Sequence, residues 1–180
     1  MHEITGPVNN GPAFEQSVSR RPDFEILTGS HTRGVAAILD ADYASFGQWL
    51  SAFGYETVTL DLSDGLDAAV VQINRIFRWE EQFGYTLPPD DRNLDRLHDG
   101  FDFDVSPNGL ALELLGAQSA WREDPRWFMG LLSIASAYSV RQLAFGRRFF
   151  TVIRISDISP PLGEPIEPYR INRYYVPKFR

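Results

Sequence analysis

Residues 85–104 read Tyr-Thr-Leu-Pro-Pro-Asp-Asp-Arg-Asn-Leu-Asp-Arg-Leu-His-Asp-Gly-Phe-Asp-Phe-Asp, and the rest of the chain can be placed outward from them. Pro88 and Pro89 end whatever precedes them, and Asp91 or Asn93 can then cap a new short helix. On a helical wheel, Leu97 and Phe101 fall within about 60° of Leu94, which makes one narrow apolar stripe for a core. Beside it, over about 100°, lie His98, Asp91, Asp102, Asp95 and Asp99, with Arg92 and Arg96 past the acidic edge.

Between Asp90 and Asp104 there are six aspartates and two arginines, a net charge of −4 out of the chain's −7. Asp91–Asp95 and Asp95–Asp99 are like-charge pairs four residues apart, each costing about 0.2–0.5 kcal/mol in an isolated helix. Two readings stand side by side: a solvated helix face, or a surface held for a cationic partner. A face that is only solvated normally mixes its signs, and aspartate is a poor helix former.

The whole chain has 180 residues, 43% of them hydrophobic and 13% aromatic, enough for one substantial core and an added segment. A calculated pI near 4.9 argues for a basic partner, and against direct binding to nucleic acid or an anionic membrane. With no cysteine there are no disulfides, thiolate metal sites or cysteine nucleophiles, which fits a reducing cytoplasm. The first thirty residues have no apolar run and no stretch of about 18 apolar residues occurs, so a cytoplasmic protein without signal peptide or membrane span is expected.

Taken in order, residues 1–32 are rich in Gly, Pro, Ser and Asn and read as a flexible N-terminal arm or a loosely docked strap. Residues 34–39 read as a strand. Phe46, Trp49, Leu50 and Phe53 then follow helical spacing up to Gly54. Residues 55–62 alternate, with Val58, Leu60 and Leu62 on the buried face. One long helix is expected over 66–83, ended by Gly84, and then comes the acidic stretch. Ser106-Pro107-Asn108-Gly109 makes a turn before a central strand at 110–115. Residues 116–124 read as a loop, with Trp121 and Trp127 packing on the core. Pro125 starts a helix to about Phe145 with Phe128, Leu131, Leu132, Ala135, Tyr138 and Leu143 inward, and residues 149–155 are a last strand. Four strands alternating with helices indicate an α/β layer with mainly parallel pairing. Beyond Ser156 the chain becomes proline-rich and ends in interleaved basic and aromatic residues, a tail (157–180) that could dock on the protein's own acidic surface, stay disordered or touch nucleic acid.

Leu87-Pro88, followed by Asn93-Leu94-Asp95-x-Leu97-x-Asp99, resembles the barstar family of intracellular ribonuclease inhibitors. The resemblance runs from about Tyr55 to Ser156 in the order strand, helix, proline loop, acidic helix, strand, helix, strand, and Leu112-Glu113 matches an apolar-Glu pair of the family's middle strand. It implies a three-stranded parallel sheet with flanking helices over 55–156, with residues 33–54 as an N-terminal strand–helix extension. It also implies an immunity protein whose acidic helix plugs the cationic active site of a toxin enzyme, usually a ribonuclease. The implied partner-binding residues are Asp91, Asn93, Leu94, Asp95, His98, Asp99 and Asp102, with no catalytic residue, cofactor or metal. Three features depart from the family: Asp90-Asp91 replace aromatics and glycine in a shortened loop, His98 replaces an interface tryptophan, and Arg141 and Phe145 stand where glutamates are found. The partner expected is therefore a different toxin.

Other classes remain open at this point. Asp90, Asp91 and Asp95 could serve a small metal-dependent enzyme, although the run lacks the glycine and terminal glutamate of a calcium loop. His98 beside carboxylates could do acid–base work, but no phosphate loop or nucleophile elbow completes such a site. A non-catalytic assembly module is the third class.

Overall fold

The computed structural model describes residues 22–28 and 33–156. Four strands form one all-parallel sheet in the order β1-β4-β3-β2: β1 (Val35–Leu39), β2 (Glu56–Asp61), β3 (Leu110–Leu115) and β4 (Phe149–Ile155). The central strands β3 and β4 are almost wholly buried and mostly apolar, as strands covered by helices above and below tend to be. The three-stranded sheet that the resemblance implies is thus corrected to four. The strand of the 33–54 extension belongs to the same sheet, because Val35 to Leu39 run in register with Thr151 to Ile155.

Side chains alternate along the strands and so feed two cores. On one face Val35, Leu60, Leu112, Phe149 and Ile153 meet α3 (Leu66–Ile76), α6 (Ala117–Glu123) and the long α7 (Pro125–Ala144). On the other, Ala36, Ile38, Phe150 and Val152 meet α2 (Asp40–Ala52) through Phe46 and Leu50. A short helix, α1 (Pro22–Thr28), joins this second core through Ile26 and Leu27. The flexible arm expected over 1–32 therefore contains a docked helix; the rest of that arm, and the tail at 157–180, lie outside the described residues.

The single helix expected over 66–83 is two. α3 stops at Ile76, Arg78 takes a left-handed conformation (φ 49°), and α4 (Trp79–Phe83) restarts in a new direction. The break has a packing reason. Phe77 and Trp79 are both about fully buried, and two residues apart on one helix they would point to opposite sides. Residues 117–123 form α6 in place of the expected loop, with Ala117 and Ala120 against the core. Asp124 then caps α7 by accepting the Trp127 N–H at 2.9 Å. Trp127 is buried and Trp121 packs on the core edge, as expected. No helix among the described residues is long and apolar enough to cross a membrane.

Candidate functional site

The acidic stretch is fastened at its start by the proline loop. Asn74 of α3 clamps Leu87 with two hydrogen bonds of 2.8 Å, donating to its carbonyl and accepting from its N–H. Asp91 N–H closes a turn on the Pro88 carbonyl at 2.9 Å. Asn93 then caps α5 (Leu94–Gly100): its Oδ1 accepts from the N–H groups of Asp95 and Arg96 at 2.9 and 3.1 Å.

Asp91 does not belong to the exposed face. Its side chain is only 6% exposed, one oxygen accepts the Asn93 N–H at 2.7 Å, and the other pairs with Arg96 at 2.6 Å. The wheel placed it on the exposed face by assuming a helix that had already begun at Asp91, whereas α5 starts at Leu94 and Asp91 turns onto Asn93 and Arg96. Arg92 is likewise engaged, reaching Asp67 at 2.5 Å and Glu123 at 3.7 Å. Both arginines of the stretch are thus neutralised by carboxylates other than Asp95 and Asp99.

What remains is anionic. Asp95, Asp99, Asp102 and Asp104 are exposed, and among the described residues no arginine pairs with any of them. Asp99 stands 3.7 Å from the His98 ring, both side chains being well exposed. Asp102 lies beyond the end of α5, in an extended segment where Phe101, Phe103 and Val105 go inward and Asp102 and Asp104 go outward. That period-two alternation was present in the sequence and is the signal the helical wheel passed over. Asp102 is held by the Tyr138 hydroxyl at 3.0 Å.

Leu97 and Phe101 are buried, as the apolar stripe requires, while Leu94 is half-buried against α7 at Gly130. Between α5 and α7 opens a cleft of about 130 Å³ lined by His98, Phe101, Ile134, Ala137, Tyr138 and Arg141. The Arg141 guanidinium lies 4.8 Å from the centre of the Tyr138 ring. His98 and Arg141, two of the departures from the barstar pattern, therefore line one cleft. The third helical departure, Phe145, is 73% exposed about one turn further along α7, and Val140 is 52% exposed beside it. The sequence carried no sign that these residues converge, because they are separated by more than forty positions.

Among the described residues no group of three or more His, Cys, Asp or Glu is placed to hold a metal ion. The Asp90/Asp91/Asp95 grouping is not gathered, since Asp91 turns inward onto Asn93 and Arg96. The fold and site together define an α/β protein with an acidic helix presented on a rigid support. No protein-family model, no curated protein and no solved structure matches the chain.

Proposed function

We propose that the protein is an immunity-type inhibitor, a barstar-like module that occludes the cationic active site of a toxin nuclease with the face built from Asp95, Asp99 and Asp102. The observation that carries this reading is the pairing pattern of the stretch. Arg92 and Arg96 are spent on Asp67, Glu123 and Asp91, so among the described residues Asp95, Asp99 and Asp102 are left without an arginine partner. A surface that served only solubility would gain from pairing them; one meant to meet cations is better left open.

In this mechanism the carboxylates occupy the positions where the enzyme holds its substrate's phosphates. Opposite charge speeds encounter, and charge-assisted hydrogen bonds to Arg or Lys hold the complex. Rigidity matters as much as charge. The Asn93 cap, the Asn74 clamp and the burial of Leu97 and Phe101 fix the aspartates before binding, so little ordering entropy is lost.

The test is capture of partners from the source cell's secreted fraction on the immobilised full chain, beside an Asp95→Asn/Asp99→Asn variant, read by mass spectrometry. A basic nuclease retained by the parent and lost by the variant is the expected result. Equal capture by both proteins, or the absence of any nuclease, would overturn the reading.

A further inference from the structure

The two edges of the sheet are unlike. β1 is buried from Val35 to Ile38, whereas β2 is exposed at Glu56, Thr57 and Thr59. An open edge offers a row of backbone groups on which another strand can form.

How much of β2 is open follows from its hydrogen bonds. Glu56 N–H donates to the Gly109 carbonyl and Leu62 N–H to that of Leu115, both at 3.0 Å, so the even-numbered residues face β3. The odd-numbered residues turn their N–H and C=O groups outward. Asp61 is already served. The Gln72 amide of α3 accepts from its N–H at 3.0 Å and donates to its carbonyl at 2.7 Å, as a neighbouring strand would. At the other end, Tyr55 N–H donates to the Leu50 carbonyl at 3.0 Å. Thr57 and Thr59 remain, their outward backbone groups without a partner among the described residues. The free edge is centred on Val58 and closed on both sides.

Such an edge is complementary to itself. We propose that two copies of the chain pair antiparallel through β2 about a two-fold axis at Val58, joining two four-stranded sheets into one. Thr57 then lies opposite Thr59 of the second copy, and each of the two such pairs exchanges two N–H···O bonds. Moving the axis to Thr57 or Thr59 sets one of these residues against a position already engaged, and half the bonds are lost. At the Val58 axis no like charges meet, since Glu56 falls opposite Leu60 and Asp61 opposite Tyr55. Val58 meets its own copy, and Ile76, four residues after Gln72 on the same side of α3, is half-buried like Val58 and adds apolar surface beside it. The strand carries none of the lysines, prolines or bulges that commonly block edge pairing. The contact uses none of Asp95, Asp99 and Asp102, so it does not rest on the inhibitor reading.

Sedimentation of the full chain at rising concentration should show its mass moving from 20.4 kDa toward twice that value and no further, because the buried β1 edge offers no second site. Val58→Lys sets two ammonium groups face to face, and Val58→Glu two carboxylates. Each variant alone should stay monomeric, while their equimolar mixture should dimerise. A substitution that only damaged the fold would not be rescued by mixing. The absence of cysteine allows a check on register. Opposite residues of a non-hydrogen-bonded pair have Cα atoms about 4.5 Å apart, within disulfide range. Val58→Cys should therefore oxidise to a cross-linked dimer, and Thr57→Cys, whose two copies are offset along the strands, should not. A parent that stays monomeric at every concentration would overturn the proposal. So would larger assemblies, a dimer that persists in Val58→Lys, a mixture that fails to dimerise, or equal cross-linking by the two cysteine variants.

Discussion

Gly100, the last residue of α5, lies flat against the ring of Trp79: a Cβ there would overlap Cζ3 and Cη2. Trp79 is 1% exposed, its ring lies 4.9 Å from that of Phe83, and it belongs to the same buried cluster as Phe77 and Phe101, so it has little room in which to yield. The close approach seats the acidic helix on α4 and fixes the angle at which Asp95 and Asp99 leave the surface.

Gly100→Ala is therefore expected to destabilise the protein by about 1–3 kcal/mol, the usual cost of forcing extra volume into a packed site. The gain in helix propensity, at most about 1 kcal/mol, does not offset it at a helix end. Chemical denaturation of the variant checks this; an unchanged midpoint would mean that Trp79 can move and that α5 is not seated by it.

Asp91 and Asp99 have the same side chain and nearly the same sequence surroundings, but opposite roles are expected of them. Asp91→Ala strips the Asn93 N–H and Arg96 of their acceptor in the turn before α5, for a loss of about 1 kcal/mol, since both donors can still reach water. Asp99→Ala should leave stability unchanged or slightly raised, since it relieves repulsion with Asp95. Against a cationic partner the order reverses. Asp99→Ala should cost about 2–5 kcal/mol of affinity, a range drawn from charge pairs of this kind, the barstar complex among them. Melts of both free variants, followed by calorimetric titration of a captured nuclease, read the two effects separately. Equal stability losses would put both aspartates in the same class.

Much of this architecture could be read from residues. The apolar runs of β3 and β4, the alternation of Val58, Leu60 and Leu62, and the Pro125 start of α7 all carry local signals strong enough to survive tertiary context. The misreadings have separate causes, each of them physical. Nothing near Arg78 announces a left-handed residue, because the bend is set by where Phe77 and Trp79 must both be buried. Asp91 looked like one more exposed aspartate until Arg96 and the Asn93 N–H were seen to claim it. The stretch 117–123 was too short to display a helical period, and its burial rests on two alanines. Of the site, the acid was legible and the cleft was not, since His98 and Arg141 meet only through the packing of α5 on α7.

Glu113 gives the protein a predictable response to pH. It sits in the central strand, buried, with Oε1 lacking a partner among the described residues and Oε2 only 3.4 Å from the Thr59 hydroxyl. Burial raises its pKa above the ordinary glutamate value, partly opposed by Arg154. A raised carboxyl pKa means that the folded state holds the proton more tightly than the unfolded chain does. Its contribution to stability is then complete below the ordinary value and is lost as pH rises through the folded one. Glu113→Gln removes this titration. Relative to the parent, the variant should gain stability as pH rises above the ordinary glutamate range, measured by denaturant unfolding at each pH. A difference that does not change with pH would show that Glu113 is not the group responsible.

Tyr138 ties the site to the core through one oxygen. Its hydroxyl accepts the Phe103 N–H at 2.9 Å and stands 3.0 Å from both the Phe103 carbonyl and Asp102 Oδ1, to either of which it can donate. Its pKa is pushed up to about 12, chiefly by burial, so the group stays a neutral donor at any pH the protein would normally meet. Tyr138→Phe keeps the ring contacts with Phe101 and Phe149 but leaves the buried Phe103 N–H without its acceptor. A loss of about 1–3 kcal/mol follows, and it should be the same in mildly acidic and mildly alkaline buffer. The second expectation concerns position. With its hydroxyl donor removed, Asp102 loses its anchor and should sample more orientations, weakening a cationic partner less than Asp99→Ala does while leaving the charge intact. Asp102→Asn separates the two effects: it removes the charge and keeps an oxygen for the Tyr138 hydroxyl. If Tyr138→Phe melts like the parent, the Phe103 N–H has found another acceptor and the Asp102 end of the site is held by something other than Tyr138.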